Sequence, residues 1–550
     1  MKGLWAVSPL RILSFINHFQ GFLLYNFQSS FSTSLHSTVI NMRAILSTSL
    51  AEALLLSSFC QASTFLAPEQ DILLPSSGVS INPLTLLGAN SPYFTGPNIY
   101  GISNQVPDNC YVEQVAYNVR HGSRYPDSGA YAQWTALYAE IQAANFTSTG
   151  SLAFLKSWKP VLTNPTLQIA QESPTGYKEA YDLGYQLRTR YLGLYSYGQP
   201  FISWANLYPR VVQTAQNFVR GFLGSAASSL GMVVTINSTG SEAALFDSLS
   251  PSDLCPAFVD GNGGTEYVTW NSIYLPPIQA RLESLITGNL NFSTADISIM
   301  PYLCGFESQI TGKLSQWCGV FTDEELKKYE YAQDLRYYYG MGPGENLPSK
   351  MMLPYLNALV GILEQGPGIN GTFTNGNIFT LPNILTAFMN DGQIAELGAV
   401  TGVWDNTTSL GDGTKIPLKY EYISSHFVSM RGTVAFERMN CAISGNATSN
   451  SFTGSAPNSY RNTNSSTTST NATYIRILLN DVVYPVHSCQ SGPGSSCLLS
   501  DYSALIKGKV DTAGDLPTRC NVTVSGAPTK VKGASFFTDL SLSWLKTVVP

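Results

Sequence analysis

Charged residues are scarce in this chain of 550 residues, since Asp, Glu, Lys and Arg together make up only 12% of it. That share is about half of what globular proteins usually carry. The 30 basic residues form no cluster and are outnumbered by 36 acidic ones, whereas a nucleic-acid backbone is bound by grouped Lys and Arg. The composition therefore argues against a nucleic-acid partner. Solubility must come from Ser, Thr, Asn and Tyr, and from attached sugar.

Motifs of several other classes are absent as well. There is no Cys-x-x-Cys or His-x-x-x-His pair, which weakens zinc-ribbon and metalloprotease interpretations. There is no Gly-x-Ser-x-Gly elbow and no Gly-x-x-x-x-Gly-Lys-Ser/Thr loop, which weakens serine-hydrolase and nucleotide-binding interpretations. No repeat of about 20 to 50 residues is visible, which argues against solenoids and propellers.

The first 62 residues are typical of a precursor segment. From Met42 the chain has a positive residue, an apolar centre around Leu55 and small residues near Ala62, the pattern of a signal peptide. The apolar run is too short and too interrupted to span a membrane. We expect cleavage close to Ala62 and a true start at Met42, which leaves residues 1–41 without a role. The leader predicts a secreted protein, extracellular or in the cell wall.

The cysteines point to the same oxidising route. Cleavage removes Cys60 and leaves eight of the nine cysteines, an even number that suits four disulfides. Cys489 and Cys497 bracket a Gly-Pro-Gly turn and predict one local bridge, and Cys304 with Cys318 predicts another around a short polar loop. The other four must pair over long range: Cys110, Cys255, Cys441 and Cys520. Free thiols are the alternative, which the leader disfavours.

Nine Asn-x-Ser/Thr sequons are a further sign of passage through a secretory pathway. They begin at Asn145, Asn237, Asn291, Asn370, Asn406, Asn446, Asn464, Asn471 and Asn521. Three of them fall in residues 444–473, a low-complexity stretch of Ser, Thr and Asn with no apolar period. We expect this stretch to be an exposed glycosylated loop.

Hydrophobic spacing separates helical from strand-like segments. Helical spacing recurs in residues 134–141, 177–194, 211–222 and 323–339. In the second of these, Tyr177 and Tyr181 lie on the apolar stripe. Alternating patterns at residues 115–119 and 384–388 predict strands, each followed by polar residues and then a helix. Such transitions form the ligand crevice of open α/β sheets.

The length allows two packed domains or one large α/β domain with insertions. The strand patterns lie towards the two ends of the chain, and the middle is mainly helical. We therefore expect an α/β domain built from residues 95–240 and 370–550, interrupted by a mainly helical cap of residues 241–369.

The most informative run is Arg-His-Gly-Ser-Arg-Tyr-Pro at residues 120–126, directly after the first strand pattern. A histidine at a strand end can place its imidazole in the crevice, and Gly122 lets the backbone approach a ligand closely. Arg120 and Arg124 offer planar donor forks that suit phosphoryl oxygens. Their charge should lower the pKa of His121 and keep part of the imidazole neutral and nucleophilic in acid.

The alternative is that His121 only ends the strand while the arginines are solvated or paired with acids. That interpretation would be preferred for an isolated His-Gly dipeptide, which is common in turns. The pattern Arg-His-Gly-x-Arg-x-Pro specifies five positions, and a chance match in a chain of this length arises roughly once in several thousand. The run therefore favours phosphate chemistry.

This run matches the signature of the histidine acid phosphatases, and residues 110–540 resemble the secreted fungal acid phosphatases and phytases of that family. The resemblance implies that His121 is the nucleophile and that Arg120 and Arg124 hold phosphate. A third phosphate-binding arginine, from a later strand-to-helix turn, corresponds to Arg210. The expected fold class is α/β, a sandwich with a central mixed sheet and a smaller, mainly helical domain inserted beside the crevice.

The family also places a His-Asp pair at the end of a central strand, where the histidine contacts phosphate and the aspartate protonates the leaving group. The matching residues are Asn390 and Asp391, so the aspartate is kept and the histidine is replaced. Asn390 can donate a hydrogen bond to phosphate but cannot carry the charge of a protonated histidine. Weaker phosphate binding and a different acid optimum are the expected consequences. The remaining histidines after the leader, His426 and His487, are expected to be structural.

These inferences predict a secreted acid phosphatase acting on small phosphorylated substrates. His121 would attack phosphorus while Asp391 protonates the departing alkoxide, and water would then cleave the phosphohistidine. The scheme requires no metal and no other cofactor. A phytase is the alternative, disfavoured by the lack of lysine between Pro126 and Lys156. A second alternative is a glycoprotein that binds phosphorylated ligands with little turnover because of Asn390, and a homo-oligomer is compatible with either.

Overall fold

A mixed sheet of nine strands runs through the part of the chain that the computed structural model describes. That part comprises residues 81–239, 242–444, 469–523 and 531–550. The predicted precursor segment, residues 1–62, and most of the predicted loop, residues 444–473, lie outside the described residues.

The strands come in the following order along the chain. They are β1 (Cys110–Arg120), β2 (Phe146–Ser148), β3 (Phe201–Asn206), β4 (Gly231–Ile236), β5 (Ile286–Gly288), β6 (Asn370–Thr372), β7 (Ile378–Thr380), β8 (Ile384–Met389), β9 (Thr433–Ser444), β10 (Ser469–Leu479), β11 (Val482–Tyr484), β12 (Cys497–Leu498) and β13 (Leu545–Val548). The central sheet has the order β11, β10, β9, β1, β8, β3, β4, β13, with β12 paired beside β10. Two short ribbons pair β2 with β5 and β6 with β7.

Helices cover both faces of this sheet and fill the middle of the chain. They are α1 (Ser128–Ala143), α2 (Pro165–Gln168), α3 (Pro174–Arg190), α4 (Pro209–Leu223), α5 (Ala227–Leu230), α6 (Gly264–Glu283), α7 (Thr294–Thr311), α8 (Asp323–Met341), α9 (Pro348–Met351), α10 (Leu353–Gln365), α11 (Asp391–Val400), α12 (Leu499–Ala513) and α13 (Leu516–Arg519). Two single 3-10 turns, Gly88–Asn90 and Ser424–His426, also matter for the site.

The centre of the sheet is parallel and its flanks are antiparallel. Strand β8 lies between β1 and β3 and runs parallel to both, whereas β9 and β13 run antiparallel to their neighbours. In the register of β1 and β8, Arg120 is opposite Met389. The residues that follow these two strands, His121 and Asn390, therefore emerge side by side at one edge.

Strand β8 shows how the sheet is buried on both faces. Because successive side chains of a strand point to opposite faces, Ile384 and Phe388 pack under α3 and α4. Leu385 and Met389 pack into the larger hydrophobic cluster on the other side. All six residues of β8 are buried, so the expected α/β sandwich with a central mixed sheet is confirmed.

Helices α3 and α4 cross at two glycines. A side chain at Gly184 would collide with the Phe218 carbonyl, and one at Gly221 would collide with the Tyr181 carbonyl. Glycine lets the two backbones approach closely here. The contact brings both helices onto the same face of the sheet.

The buried face of α3 differs from the expected stripe. Tyr177 and Tyr181 are 42% and 48% exposed, whereas Leu183 and Leu187 are buried against the sheet. The face is centred on the two leucines, so the tyrosines lie at its edge, where a phenol ring can remain partly in water.

The middle of the chain is mainly helical, as its spacing predicts, with α6 to α10 following one another. Helix α8 begins at a capping box in which Thr322 and Glu325 satisfy each other's backbone N–H groups. Strand β5 from this region pairs with β2, which precedes it by more than a hundred residues. The limits of the cap at residues 241–369 stay a prediction.

Four disulfides join the eight cysteines expected after the leader. The two local bridges are those predicted, Cys304–Cys318 and Cys489–Cys497. The long-range bridges are Cys110–Cys441, which ties β1 to β9, and Cys255–Cys520. Within the described ranges, the helices are either too short or too polar to cross a bilayer.

Candidate active site

The side chains singled out by the sequence meet where three neighbouring parallel strands end. His121 follows β1, Asn390 and Asp391 follow β8, and Arg210 lies in the first turn of α4, which follows β3. The backbone N–H of His121 donates to the Met389 carbonyl over 3.0 Å, which locks the ends of β1 and β8 together. This edge is where open α/β sheets bind ligands.

His121 is 1% exposed and its tautomer is fixed. Nδ1 lies 2.9 Å from the Gly122 carbonyl oxygen, and because a carbonyl only accepts, Nδ1 carries the proton and Nε2 keeps its lone pair. Burial, and then the charges of Arg120, Arg210 and Arg124, lower the pKa of His121 well below 6.5. The direction agrees with the expectation, but burial contributes more than any single arginine.

Arg120 is equally buried, and its guanidinium is held by three acceptors. Nη1 donates to the Val428 carbonyl over 2.6 Å and to the Ala89 carbonyl. Nη2 donates to Asp391 Oδ2 over 3.2 Å. These contacts fix the orientation of the group, and two of the three acceptors are backbone carbonyls from distant parts of the chain.

Arg124 and Arg210 complete the cationic cluster. Arg124 lies over the Phe306 ring at 5.3 Å, and its Nη1 donates to the Tyr125 carbonyl over 3.0 Å. Arg210 Nη2 donates to Asn390 Oδ1 over 3.1 Å. Burial, followed by the charge of Arg124, lowers the pKa of Arg210 to about 10, so Arg210 stays protonated in neutral and acidic solution.

Each of the three arginines has one N–H group that is not used in a hydrogen bond within the described residues. The Nε–H groups of Arg120, Arg124 and Arg210 are buried and make no hydrogen bond to any residue that the structure describes. Buried N–H groups are nearly always paired in folded proteins. The charges of the same three arginines all act on His121, and three guanidinium groups gathered at one imidazole suit an anion with several oxygens.

Asp391 is the first residue of α11, and its carboxylate is tightly hydrogen-bonded. Besides Arg120, the Tyr337 hydroxyl donates to Oδ2 over 2.8 Å, and the Gly392 N–H donates to Oδ1 over 3.0 Å. Burial alone raises the pKa of Asp391, but the side chain is still 30% exposed. The charge of Arg120 and the Tyr337 hydrogen bond outweigh burial and hold the pKa well below its usual range.

Asn390 occupies the N-cap position of α11, but its side chain does not cap the helix. Its Oδ1 instead accepts from Arg210. Because Oδ1 is engaged, Nδ2 is the group that can donate to a phosphate oxygen. Asn390 thus orients an arginine of the cluster, a contact that the sequence did not predict.

Buried acids support the loop that carries the motif. The Gly122 N–H donates to Thr214 Oγ1 over 2.9 Å, and this hydroxyl donates to Glu172 Oε1 over 2.7 Å. Ser123 donates through its N–H and its hydroxyl to Glu179, over 2.6 and 2.8 Å. A side chain at Gly122 would collide with Glu172, so the glycine is required by packing within the protein.

All six predicted site residues lie in this cluster, and the two other histidines lie elsewhere. His426 is half-buried, and His487 Nε2 lies 3.3 Å from Glu421. Tyr337 is the contact that sequence reasoning missed. It is one of three consecutive tyrosines in α8, and no spacing signal distinguishes the one that faces Asp391.

Three arginines gathered at a neutral imidazole suit phosphate esters, and on this α/β sheet they define a phosphatase of the hydrolase class. The sequence model of the histidine phosphatase superfamily, branch 2, matches residues 111–480. The chain belongs to this family, which confirms the resemblance noted from the motif.

Similar proteins are named as phosphatases and phytases. The chain is 27% identical over 463 residues to Phytase PHO112 of Candida albicans, covering 82% of this chain and 90% of that protein. It is also 27% identical over 477 residues to Acid phosphatase PHO1 of Komagataella pastoris, covering 84% and 90%. The crystal structure of the phytase from D. castellii matches with a TM-score of 0.68 at 25% identity, covering 86% of this chain and 95% of that one.

Proposed function

We propose that the protein is an acid phosphatase that hydrolyses phosphomonoesters through a phosphohistidine on His121, with Asp391 as the proton donor. The observation that carries this proposal is the gathering of Arg120, Arg124 and Arg210 beside an imidazole whose Nδ1 is committed to the Gly122 carbonyl, which leaves Nε2 for attack on phosphorus. Membership of the family and the names of its relatives support the reaction class.

In the first step, the phosphoryl oxygens bind the guanidinium groups of Arg120, Arg124 and Arg210. His121 Nε2 forms a bond to phosphorus while the bond from phosphorus to the ester oxygen breaks. Asp391 gives its proton to the departing alkoxide. The guanidinium groups stabilise the charge on the equatorial oxygens, the dominant requirement of phosphoryl transfer.

In the second step, water attacks the phosphorus of the phosphohistidine. The bond from phosphorus to Nε2 breaks, His121 recovers its lone pair, and Asp391 accepts the proton of the attacking water. Inorganic phosphate then leaves, and Asp391 is again ready to act as an acid. One carboxyl group therefore serves both halves of the reaction.

Acidic solution favours this cycle for two reasons. The low pKa of His121 keeps Nε2 unprotonated. Asp391 is ionised in the free protein, but a phosphomonoester has a second pKa of about 6 and in acid still carries a proton that it can pass to Asp391. The bound phosphoryl charge also offsets that of Arg120, which raises the pKa of Asp391 in the complex.

Replacement of the proton donor tests the mechanism. His121→Ala should abolish turnover. Asp391→Asn should lower kcat far more for an alkyl phosphate such as glycerol phosphate than for p-nitrophenyl phosphate, because p-nitrophenolate leaves without being protonated. Steady-state kinetics on the two substrates measure the difference. Asp412→Asn, which changes an exposed acid, is the matched control and should leave both rates unchanged.

Two results would contradict the proposal. Equal losses on both substrates would remove the proton-donor role from Asp391. Enzyme incubated with labelled substrate and quenched in alkali, in which phosphohistidine survives, should carry the label on histidine. Label on serine, or none during rapid turnover, would rule out the covalent step on His121.

Simple phosphomonoesters are the preferred substrates in this proposal, and phytate is the second candidate. Arg336 is neutralised by Asp260 at 2.5 Å, and Arg124 lies 3.5 Å from Asp127. Phytate is densely anionic and calls for a more basic crevice. The phytase names among the relatives favour it nonetheless. A higher kcat/KM for phytate than for simple esters would make the protein a phytase.

Asn390 is the reason for an alternative function, in which the protein binds phosphorylated ligands with little turnover. The retained Asp391 argues against this alternative, since binding alone needs no proton donor. An assay of the wild-type protein with p-nitrophenyl phosphate from about pH 3 to pH 7, on both sides of the phosphomonoester pKa, distinguishes the two.

Secretion and glycosylation belong to the same proposal. Disulfides that join distant segments suit an oxidising compartment. Six of the sequon asparagines are exposed: Asn145, Asn291, Asn370, Asn406, Asn471 and Asn521. Asn237 is half-buried, and Asn446 and Asn464 lie outside the described residues.

A further inference from the structure

Two buried carboxyl groups, Glu330 and Asp334, lie one turn apart on helix α8. Glu330 is 3% exposed and Asp334 is 0% exposed. Residues four apart share one face of a helix, and both carboxyls accept hydrogen bonds from the segment that contains Ser424 and Ser425. Their hydrogen-bond donors in the described part of the chain are N–H and O–H groups rather than cations.

Glu330 joins two segments that are far apart in sequence. Its Oε2 accepts from the Gly88 N–H over 2.7 Å, and its Oε1 accepts from the Ser425 N–H over 3.1 Å. Both carboxylate oxygens are therefore occupied by backbone donors. An amide in place of this carboxyl would turn an NH₂ group towards one of those N–H groups and lose that contact.

Asp334 holds the second of these segments. Its Oδ1 accepts from the N–H and the hydroxyl of Ser424, over 2.6 and 2.8 Å. Its Oδ2 accepts from the Tyr420 hydroxyl over 3.0 Å. A hydroxyl can also accept, so an amide here would keep every contact by donating to Tyr420.

The two anchored segments are those that hold Arg120. Ala89 follows Gly88 in the first 3-10 turn, and its carbonyl accepts from Arg120 Nη1. Val428 closes the second segment, since its N–H donates to the Ser424 carbonyl over 2.8 Å. Its own carbonyl accepts from the same Nη1 over 2.6 Å. The two carboxyls thus hold the two segments, and a carbonyl of each segment holds the Arg120 guanidinium.

We propose that Glu330 and Asp334 are positioning residues of the phosphate site, acting on Arg120 through the segments at residues 88–90 and 424–428. The inference rests on the proposed role of Arg120 in binding phosphate. Neither carboxyl is proposed to touch the substrate.

The pair should also respond to pH. Burial raises the pKa of Glu330, and burial followed by the charge of Glu330 raises that of Asp334 further. In acid the pair therefore retains a proton, and loss of this proton as the pH rises leaves two adjacent buried charges that repel. The ionisable groups that face the pair are the hydroxyls of Tyr331, Tyr420 and Tyr422, whose pKa values are all raised and which stay neutral.

Two substitutions separate the hydrogen-bond support of Arg120 from the charge repulsion within the carboxyl pair. Glu330→Gln should raise KM for p-nitrophenyl phosphate and the Kd for inorganic phosphate about tenfold in acid, with kcat changed less than about twofold. Asp334→Asn should keep the acid affinity of the wild type. Because it removes the second charge, it should move the rise of KM with pH to higher pH. Calorimetric titration with phosphate and pH-dependent kinetics provide the two measurements.

Glu307→Gln is the matched control. Glu307 is also a buried carboxyl with a raised pKa, but its donors are Trp158 and Ser315. This variant should leave KM and the phosphate Kd unchanged. A purely structural role of the pair would instead lower the melting temperature of Glu330→Gln and Asp334→Asn without a selective change in phosphate affinity.

Phosphate affinity within about twofold of the wild type in Glu330→Gln would overturn the proposal. An unchanged pH dependence of KM in Asp334→Asn would do the same, and this variant decides alone if Glu330→Gln does not fold. Phosphate titration needs no turnover. A wild-type protein that binds phosphate but hydrolyses nothing would therefore refute the proposed function while the positioning role is still measured.

Discussion

At the scale of the residue, the hydrogen bond from Tyr337 to Asp391 adjusts the proposed proton donor. The bond contributes to the low pKa of Asp391, and a hydrogen bond to a charged group is worth about 1.5–3 kcal/mol. Tyr337→Phe should therefore raise the pKa of Asp391. We expect the alkaline limb of kcat for alkyl phosphates to move to higher pH, with KM nearly unchanged.

The pH profile of kcat measures this effect. Tyr339→Phe is the control, because the Tyr339 hydroxyl donates to the Gly411 carbonyl over 2.6 Å and does not contact Asp391. A Tyr337→Phe variant with the wild-type pH profile would show that the hydrogen bond does not act on the proton donor.

Single residues also show where prediction from the sequence ends. Asp391 could be inferred from the resemblance to the family, because it lies between a strand pattern and a helical pattern where the family places its His-Asp pair. Tyr337 could not, since its partner lies 54 positions away in sequence and only the packing of α8 against α11 brings them together. The same holds for the contact between Asn390 and Arg210, which depends on β3 lying beside β8.

At the scale of the element, the glycine crossing of α3 and α4 sets how these helices cover the sheet. Gly221→Ala would place a methyl group against the Tyr181 carbonyl, and such overpacking costs about 1–3 kcal/mol of stability. Gly508→Ala, in the exposed part of α12, meets no atom within 4 Å. It should raise stability by about 0.5–1 kcal/mol, because alanine is the better helix former. Urea unfolding of the two variants compares them directly. A Gly221→Ala protein as stable as the wild type would mean that the helices can separate without loss.

Elements with a clear hydrophobic period were predictable. The patterns at residues 211–222 and 323–339 correspond to α4 and α8, and those at residues 115–119 and 384–388 lie in β1 and β8. The buried face of α3 was not predictable in detail. Tyrosine and leucine are both treated as apolar when hydrophobic spacing is read from a sequence, but in α3 the leucines are buried and the tyrosines are partly exposed.

At the scale of the whole molecule, buried acids make folding depend on pH. Burial raises the pKa of Glu307 from 4.5 to about 7, against the effect of its hydrogen bonds from Ser315 and Trp158. A raised pKa means that the folded protein binds this proton more tightly than the unfolded chain. The stabilisation is therefore complete below 4.5 and is lost as the pH rises through about 7. The pKa of His426, which desolvation lowers to about 4, acts in the opposite sense.

Glu307→Gln should therefore flatten the loss of stability towards alkaline pH. Relative to the wild type, we expect the variant to gain about 3 kcal/mol between about pH 4 and pH 9. The free energy of unfolding, measured in denaturant across this range, tests the prediction. Glu324→Gln, at an acid that is 75% exposed, should show no such gain. Parallel curves for the wild type and Glu307→Gln would mean that Glu307 titrates normally in the folded protein.

The sequence by itself determined the phosphatase class and the α/β pattern, because the run at residues 120–126 and the strand before it depend on residue types at short spacings. The assignment of Arg210 came instead from the resemblance to the family, since it lies far from this run in the sequence. The sequence also determined the two local disulfides. Only the tertiary structure decided the pairing of Cys110 with Cys441 and of Cys255 with Cys520. It likewise decided the contact between Tyr337 and Asp391 and the support of Arg120 from Glu330 and Asp334. These contacts join segments that are separated by tens to hundreds of residues, and such segments meet only when the order of the strands and the packing of the helices are fixed.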